Sequence, residues 1–163
     1  FFIPDDAVPY KFELGGVNHE GSAGLLALED HLGFLIREAP GTALEDEQID
    51  RAFDLMTACE VEPTRRLIEF LRGKERVRIL GPDHAGLSRV GTVSFVHESR
   101  RSREIAAHVD RSEVAIRHGH MYAYDLCRGI GLDPDDGVVR VSLVHYNTPA
   151  EIDRLIEVLD PVL

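Results

Sequence analysis

Tryptophan is absent from this chain of 163 residues, and cysteine, methionine and lysine occur twice each. Two cysteines without metal-ligand spacing, Cys59 and Cys127, exclude a disulfide framework and a zinc site, so a reducing compartment, the cytoplasm, is the expectation. With Lys11 and Lys74 the only lysines, arginine carries nearly all the positive charge, and 18 Lys plus Arg against 29 Asp plus Glu leave a net charge of −11. An acidic chain neither tracks a phosphate backbone nor adheres to an anionic membrane. Nucleic acid and membrane partners are therefore not expected, and small molecules and proteins remain. No apolar run approaches the roughly 18 to 20 residues of a membrane helix, and Phe1 to Asp6 lacks a basic region ahead of its short apolar stretch. Neither a phosphate-binding Walker loop nor a serine nucleophile elbow occurs.

What is present is an ordinary globular composition, 44% apolar, whose periodicity changes near Gly73. Ahead of that point the pattern is helical. Asn18 can cap a helix with Leu25, Leu28, Leu32 and Leu35 at spacings of three and four. Thr42 and Glu45 form a capping-box pattern before Ile49, Phe53 and Met56, and a third helix carries Leu67, Ile68 and Leu71. Beyond Gly73, Arg76 to Leu80 and Arg89 to Val96 read as a hairpin around the turn-rich segment Gly81 to Gly86. A helix over 99–109, a strand over 113–117, a helix over 122–130 and a strand over 138–144 follow. A last helix opens on Thr148, Pro149 and Glu151, a capping box with Pro at its first position. The order ββαβαβα predicts an α/β (α+β) domain, residues 74–163, with an antiparallel or mixed sheet and helices on one face. Residues 1–73 form a separate, mainly helical region.

In the strand over 138–144, Val139, Val141 and Leu143 share one face, which turns Arg140 to the other. A guanidinium in a valine-rich strand needs a route to solvent or an anion, supplied either by a carboxylate of the chain or by that of a ligand. Arg117, His118, Gly119, His120, Met121 and Tyr122 crowd two imidazoles, a guanidinium and a phenol around one glycine. That segment is either a polar surface loop or a pocket lining in which His120 or Tyr122 does acid–base work. A metal held by His118 and His120 would lack a third ligand at fixed spacing, so none is expected. Gly15, Gly16 and Asn18, just before the first helix, form either a simple turn or backbone donors for a phosphate. Cys59 and Cys127 read as small core residues, and Glu45 to Glu47 and Asp133 to Asp136 as solvated acidic runs.

Three segments in combination resemble the C-terminal domain of class V aminotransferases, specifically their cysteine desulfurase-like group. They are Val114 to His120, Val139 to Leu143, and Tyr146, Asn147 and Thr148 with Glu151 and Asp153. Phe12 to Asn18 is similar to the family's Glu-x-Gly-Thr-x-Asn segment, with Gly16 where the family has Thr. The resemblance implies a pyridoxal 5'-phosphate enzyme acting on an amino acid, in a homodimer. It implies that Arg140, together with Arg117, binds the substrate carboxylate. It places Gly15, Gly16 and Asn18 near the cofactor phosphate, and His120 and Tyr122 near the reacting centre. It also implies that the Schiff-base lysine lies in a large domain ahead of Phe1, making this chain the C-terminal part of a longer enzyme. One departure stands out: Tyr122 occupies the place of the desulfurase cysteine, and a phenol forms no persulfide. Epimerase-like and lyase-like chemistry is the alternative reaction. A non-catalytic module that binds an anionic metabolite or a protein through the Arg140 face is the alternative function.

Overall fold

The computed structural model of the protein describes residues 4–9, 11–12 and 15–163. The elements are α1 (His19–Ile36), α2 (Asp46–Arg72), β1 (Val77–Leu80), β2 (Thr92–His97), α3 (Ser102–Val109), β3 (Arg117–Gly119), α4 (Tyr124–Gly129), β4 (Val138–Ser142) and α5 (Pro149–Leu159), with a 3-10 turn over Asp160–Val162. Contacts divide the chain into two compact units, Phe1–Phe53 and Asp54–Leu163.

In the first unit Asn18 caps α1 as expected, its side chain accepting from the Gly21 N–H at 2.7 Å. Arg37, in the left-handed region at φ 66°, ends the helix through its N–H to the Gly33 and Phe34 carbonyls. Glu29 and Asp30 accept from the Leu44 and Gly41 amides at 2.7 and 2.8 Å and so hold the following loop against α1. The leucine stripe read from the sequence is not a buried face. Leu25 is 67% exposed and Leu28 53%, whereas Gly33 and Ile36 are buried. The loop reaches only the last turns of α1, where Leu44 lies over Gly33.

The expected second and third helices are one. α2 runs for 27 residues through Pro63, which forgoes one backbone hydrogen bond. Pro63 is nevertheless buried, Glu62, Arg65 and Glu69 form an exposed ion-pair ladder beside it, and Leu67, Ile68 and Leu71 beyond it are fully buried. Burying three such side chains is worth roughly 5 to 9 kcal/mol, more than the approximately 3 kcal/mol an internal proline costs. Helix start and capping partner also differ from expectation. Asp46 begins α2, and the Gln48 side chain accepts from the Glu45 N–H at 3.0 Å, so Thr42 takes no part and the cap lies at Glu45. Cys59 is exposed on α2 rather than in a core, while Cys127 is buried.

The second unit has the predicted order of strands and helices. Its sheet is antiparallel throughout, with strand order β1-β2-β4-β3. Val93, Phe95, Val139 and Val141 form one core with Leu67, Ile68 and Leu71 of α2, Ile105, Ala106 and Val109 of α3, and Ile152, Leu155 and Leu159 of α5. All three helices thus cover the same face, and alternation sends Ser94 and Arg140 to the other. The strand predicted over 113–117 starts only at Arg117, because the chain from 113 to 116 stands off from 141–143 and leaves a groove between them.

Two loops are held by devices the sequence hides. Asp136, expected to be solvated, accepts from the Ser102 and Arg103 amides at 2.7 and 3.3 Å and caps α3 from a distance of 34 residues in sequence. Next to it, Gly137 at φ 64° lies so close to the Gly119 backbone that no Cβ fits. Gly137→Ala therefore destabilises the protein by about 2 kcal/mol or more, measurable as a lower denaturant midpoint.

The predicted capping box of α5 is present: the Glu151 carboxylate accepts from the Thr148 N–H at 2.6 Å and from its hydroxyl at 3.0 Å. Those bonds, with a further one from Asn147, hold the Glu151 carboxyl below its ordinary value of 4.5. A carboxyl lowered on folding contributes stability that is complete above its unfolded value and is lost as pH falls through the lower folded value. The stability difference between wild type and Glu151→Gln is thus constant from neutral pH down to about 5 and shrinks below about 4. Denaturant unfolding across that range measures it; a difference that persists unchanged at low pH contradicts the bond pattern.

Candidate functional site

β-sheet register builds the site. Leu80 pairs with Ser94, Ser94 with Arg140, and Arg140 with Arg117, so these four side chains form one row across the face opposite the core of α2, α3 and α5. Arg140 is half-buried, its Nε is fully enclosed, and that nitrogen makes no hydrogen bond. No carboxylate among the described residues pairs with Arg140 or with Arg117. Of the readings open for Arg140 in the sequence, an internal ion pair is thus not what the described residues provide. Like charges directly opposite on neighbouring strands repel, and an enclosed guanidinium nitrogen without an acceptor forfeits its hydration. Chemically, the row offers two planar donor forks and, from Ser94, a hydroxyl. That combination fits a carboxylate or another planar oxyanion. Ser94 escaped the sequence reading, although the polar positions Thr92 and Ser94, between Val93 and Phe95, carried the signal.

β3 ends at Gly119, where φ is 118°, and the chain turns through His120, Met121 and Tyr122 into α4. Met121 and Tyr122 both have positive φ, 50° and 64°. Non-glycine residues in that region cost on the order of 1 kcal/mol or more each. His120 is half-buried and its Nδ1 accepts from the Tyr122 N–H at 3.1 Å. The Tyr122 side chain stands fully in solvent. Cys127, on α4, is 4% exposed, so its thiol does not present a nucleophile at the surface.

Gly15, Gly16 and Asn18 fall in the first unit. Glu13 and Leu14, in the same similar segment, lie outside the described residues, as do Phe1 and Phe2. Gly15 and Gly16 are exposed, and a Cβ at either would meet nothing within 4 Å, so they do not form a close cradle. The Asn18 side chain is engaged in the α1 cap. Lys74 is bound to Asp160 at 2.7 Å, and Lys11 donates to the Asp5 carbonyl at 2.6 Å. Gly15, Gly16 and Asn18 are thus not arranged to hold a cofactor's phosphate, nor Lys11 and Lys74 to form an imine with its aldehyde. The same residues contain no cluster of three or more His, Cys, Asp or Glu suited to a metal ion, and no helix long and apolar enough to cross a membrane.

Comparison with known proteins gives a consistent family. Residues 47–155 match the family model described as aminotransferase class-V. The aminotransferase-like protein FGM3 of Gibberella zeae is 34% identical over the whole of this chain, which spans 38% of that protein. A probable cysteine desulfurase of Pseudomonas putida is 31% identical over 93% of this chain and 32% of its own length. Among solved structures, a cysteine desulfurase from Thermococcus onnurineus NA1 matches 94% of this chain and 33% of its own, with a TM-score of 0.68 and 26% identity. The chain thus spans about a third of the length of the curated relatives it matches. With two thirds of its residues inside the matching segment, and with a fold that matches part of the Thermococcus onnurineus structure, the chain belongs to the class V aminotransferase family.

Proposed function

We propose that this chain is the substrate-orienting part of a longer pyridoxal 5'-phosphate-dependent enzyme, related to cysteine desulfurases, that acts on an amino acid. The observation that carries this reading is Arg140, whose Nε is enclosed and has no hydrogen-bond partner. A substrate carboxylate arriving at the row gives the Arg140 guanidinium an anionic partner through its more accessible nitrogens and separates the like charges of Arg140 and Arg117. Its binding thereby recovers free energy that the free protein lacks. Ser94, on the other side of Arg140, adds a hydroxyl donor to the same oxyanion.

When bound, pyridoxal phosphate supplies an electron sink for bonds at the amino-acid carbon. The described residues of this chain do not fit that group, for the reasons given by Gly15, Gly16, Asn18, Lys11 and Lys74. The proposed division of labour gives this chain the carboxylate and the proton, and gives another part of the polypeptide the cofactor. Tyr122 carries the proton: its phenol is a solvent-facing acid–base group on the turn two residues beyond His120. The buried Cys127 thiol and the phenol at the desulfurase cysteine's place favour elimination or epimerisation over persulfide formation. A homodimer is the assembly we propose for the full-length protein, and the exposed leucines of α1 support a further protein surface over that helix.

In the full-length natural protein, Arg140→Ala lowers kcat/KM for the amino-acid substrate by roughly 30- to 1,000-fold, or about 2 to 4 kcal/mol, mainly through KM. An unchanged KM in steady-state kinetics overturns the assignment. Purified with pyridoxal phosphate, the same protein shows a visible band near about 400 to 430 nm that changes when L-cysteine is added. A flat spectrum removes the enzyme reading and leaves an anion-binding module built on the same arginines.

A further inference from the structure

Apart from the arginine row, the most constrained segment of the second unit is the turn after β3. Met121 and Tyr122 stand in the left-handed region in succession, two residues after Gly119 at φ 118°. Neither side chain is short and polar, so neither offsets the cost locally as asparagine or aspartate does. Such a backbone persists only where its surroundings hold it. Both hydrogen bonds that hold this one come from His120. Its carbonyl accepts from the Ala123 N–H at 2.7 Å, and its Nδ1 accepts from the Tyr122 N–H at 3.1 Å. A side-chain acceptor that takes the amide two residues on is the turn geometry that asparagine and aspartate form. The imidazole also meets the rings of Tyr122 and Tyr124 edge-on, with centroids 6.5 and 5.8 Å away. A backbone N–H can only donate, so Nδ1 holds a lone pair and the proton of the neutral ring sits on Nε2.

We propose that His120 is the positioning residue of Tyr122: its neutral imidazole pins the left-handed turn and so presents the phenol, and protonation of Nδ1 releases it. The presenting role rests on the reading of Tyr122 as proton carrier; the pinning does not. A proton taken up from solvent by Nδ1 sets N–H against N–H, the Tyr122 amide loses its acceptor, and the strained backbone relaxes. The neighbouring charged and titratable groups are few. Tyr122 and Tyr124 face the ring, and Asp125 on α4 stands 3.8 Å from Arg128. Arg117 and His118 precede His120 on β3, and both are exposed. The acidic loop before β4, whose Gly137 touches the His120 amide, has Asp136 committed to the α3 amides and Asp133 to the Asp135 amide, with Asp135 itself exposed. No other described group replaces the lost acceptor.

Hydrogen exchange of the full-length protein, read by mass spectrometry on peptides spanning 119–126 and corrected for intrinsic pH dependence, tests this with two variants. His120→Asn keeps an acceptor at the same reach without a titrating ring, and His120→Phe keeps a ring without an acceptor. In wild type, protection of the Tyr122 amide falls by about tenfold or more between pH 8 and 5. The Asn variant keeps its protection across that range, and the Phe variant lacks it at every pH. A Phe variant as protected as wild type, or an Asn variant that loses protection in acid as wild type does, overturns the pinning. In turnover, the acid limb of the kcat profile is present in wild type and absent from the Asn variant; the same limb in both overturns the presenting role. Full turnover by Tyr122→Phe removes Tyr122 as proton carrier, while the exchange data still decide whether His120 pins the turn.

Discussion

One-sided burial governs the second unit. α2, α3 and α5 all deliver their apolar side chains to the same face of the four-stranded sheet, around Val93, Phe95, Val139 and Val141. Strand alternation leaves no freedom after that: once Val139 and Val141 are buried, Arg140 must point to the opposite face. A register slip of one residue would bury the guanidinium and expose two valines, so the same apolar contacts that stabilise the domain also aim its arginine. Site geometry here is a by-product of core packing, fixed by fully buried residues on the other side of the sheet.

Holding two arginines opposite each other carries a cost, and no carboxylate among the described residues offsets it. Arg117 is exposed and keeps its hydration, but the Arg140 Nε is enclosed without an acceptor. Other arginines of the chain show the contrast. Arg89 donates to the carbonyls of Pro82, Val90 and Thr92, Arg65 bridges Glu62 and Glu69, and Arg66 reaches Asp153. Among the described arginines, Arg140 alone keeps an enclosed side-chain nitrogen without an acceptor, which is the pattern of a site whose partner arrives from outside.

Much of the architecture was legible because it rests on local signals. The Thr148 box, the Asn18 cap, the β1–β2 hairpin and the alternation around Arg140 all lie within a few residues of their cause. The misreadings share the opposite property. Two helices were read where one runs through Pro63, because what carries the helix past the proline, burial of Leu67, Ile68 and Leu71, is tertiary. The α1 leucines gave a periodic stripe, but periodicity reports amphipathic potential and does not report whether anything covers it. Asp136 looked solvated because its partners are 34 and 33 residues away in sequence. For the site, Arg140 and the crowded loop from Arg117 to Tyr122 were visible as residue types out of place. That His120 spends Nδ1 on the backbone was not visible, since it depends on two positive φ angles no pattern encodes.

Asp136 and Gly137 are adjacent, yet they serve different neighbours. The first caps α3 and the second lies against Gly119, one residue before His120. This contact places the helix cap and the turn within one cooperative opening unit, so fraying of the first turn of α3 and loosening of the Tyr122 turn share a free-energy cost. Heat, denaturant or sequence drift that weakens the helix start thereby reaches the turn after β3 without altering any residue in it. The geometry of the turn thus depends in part on an aspartate distant from it in sequence, whose carboxylate bonds go to another helix.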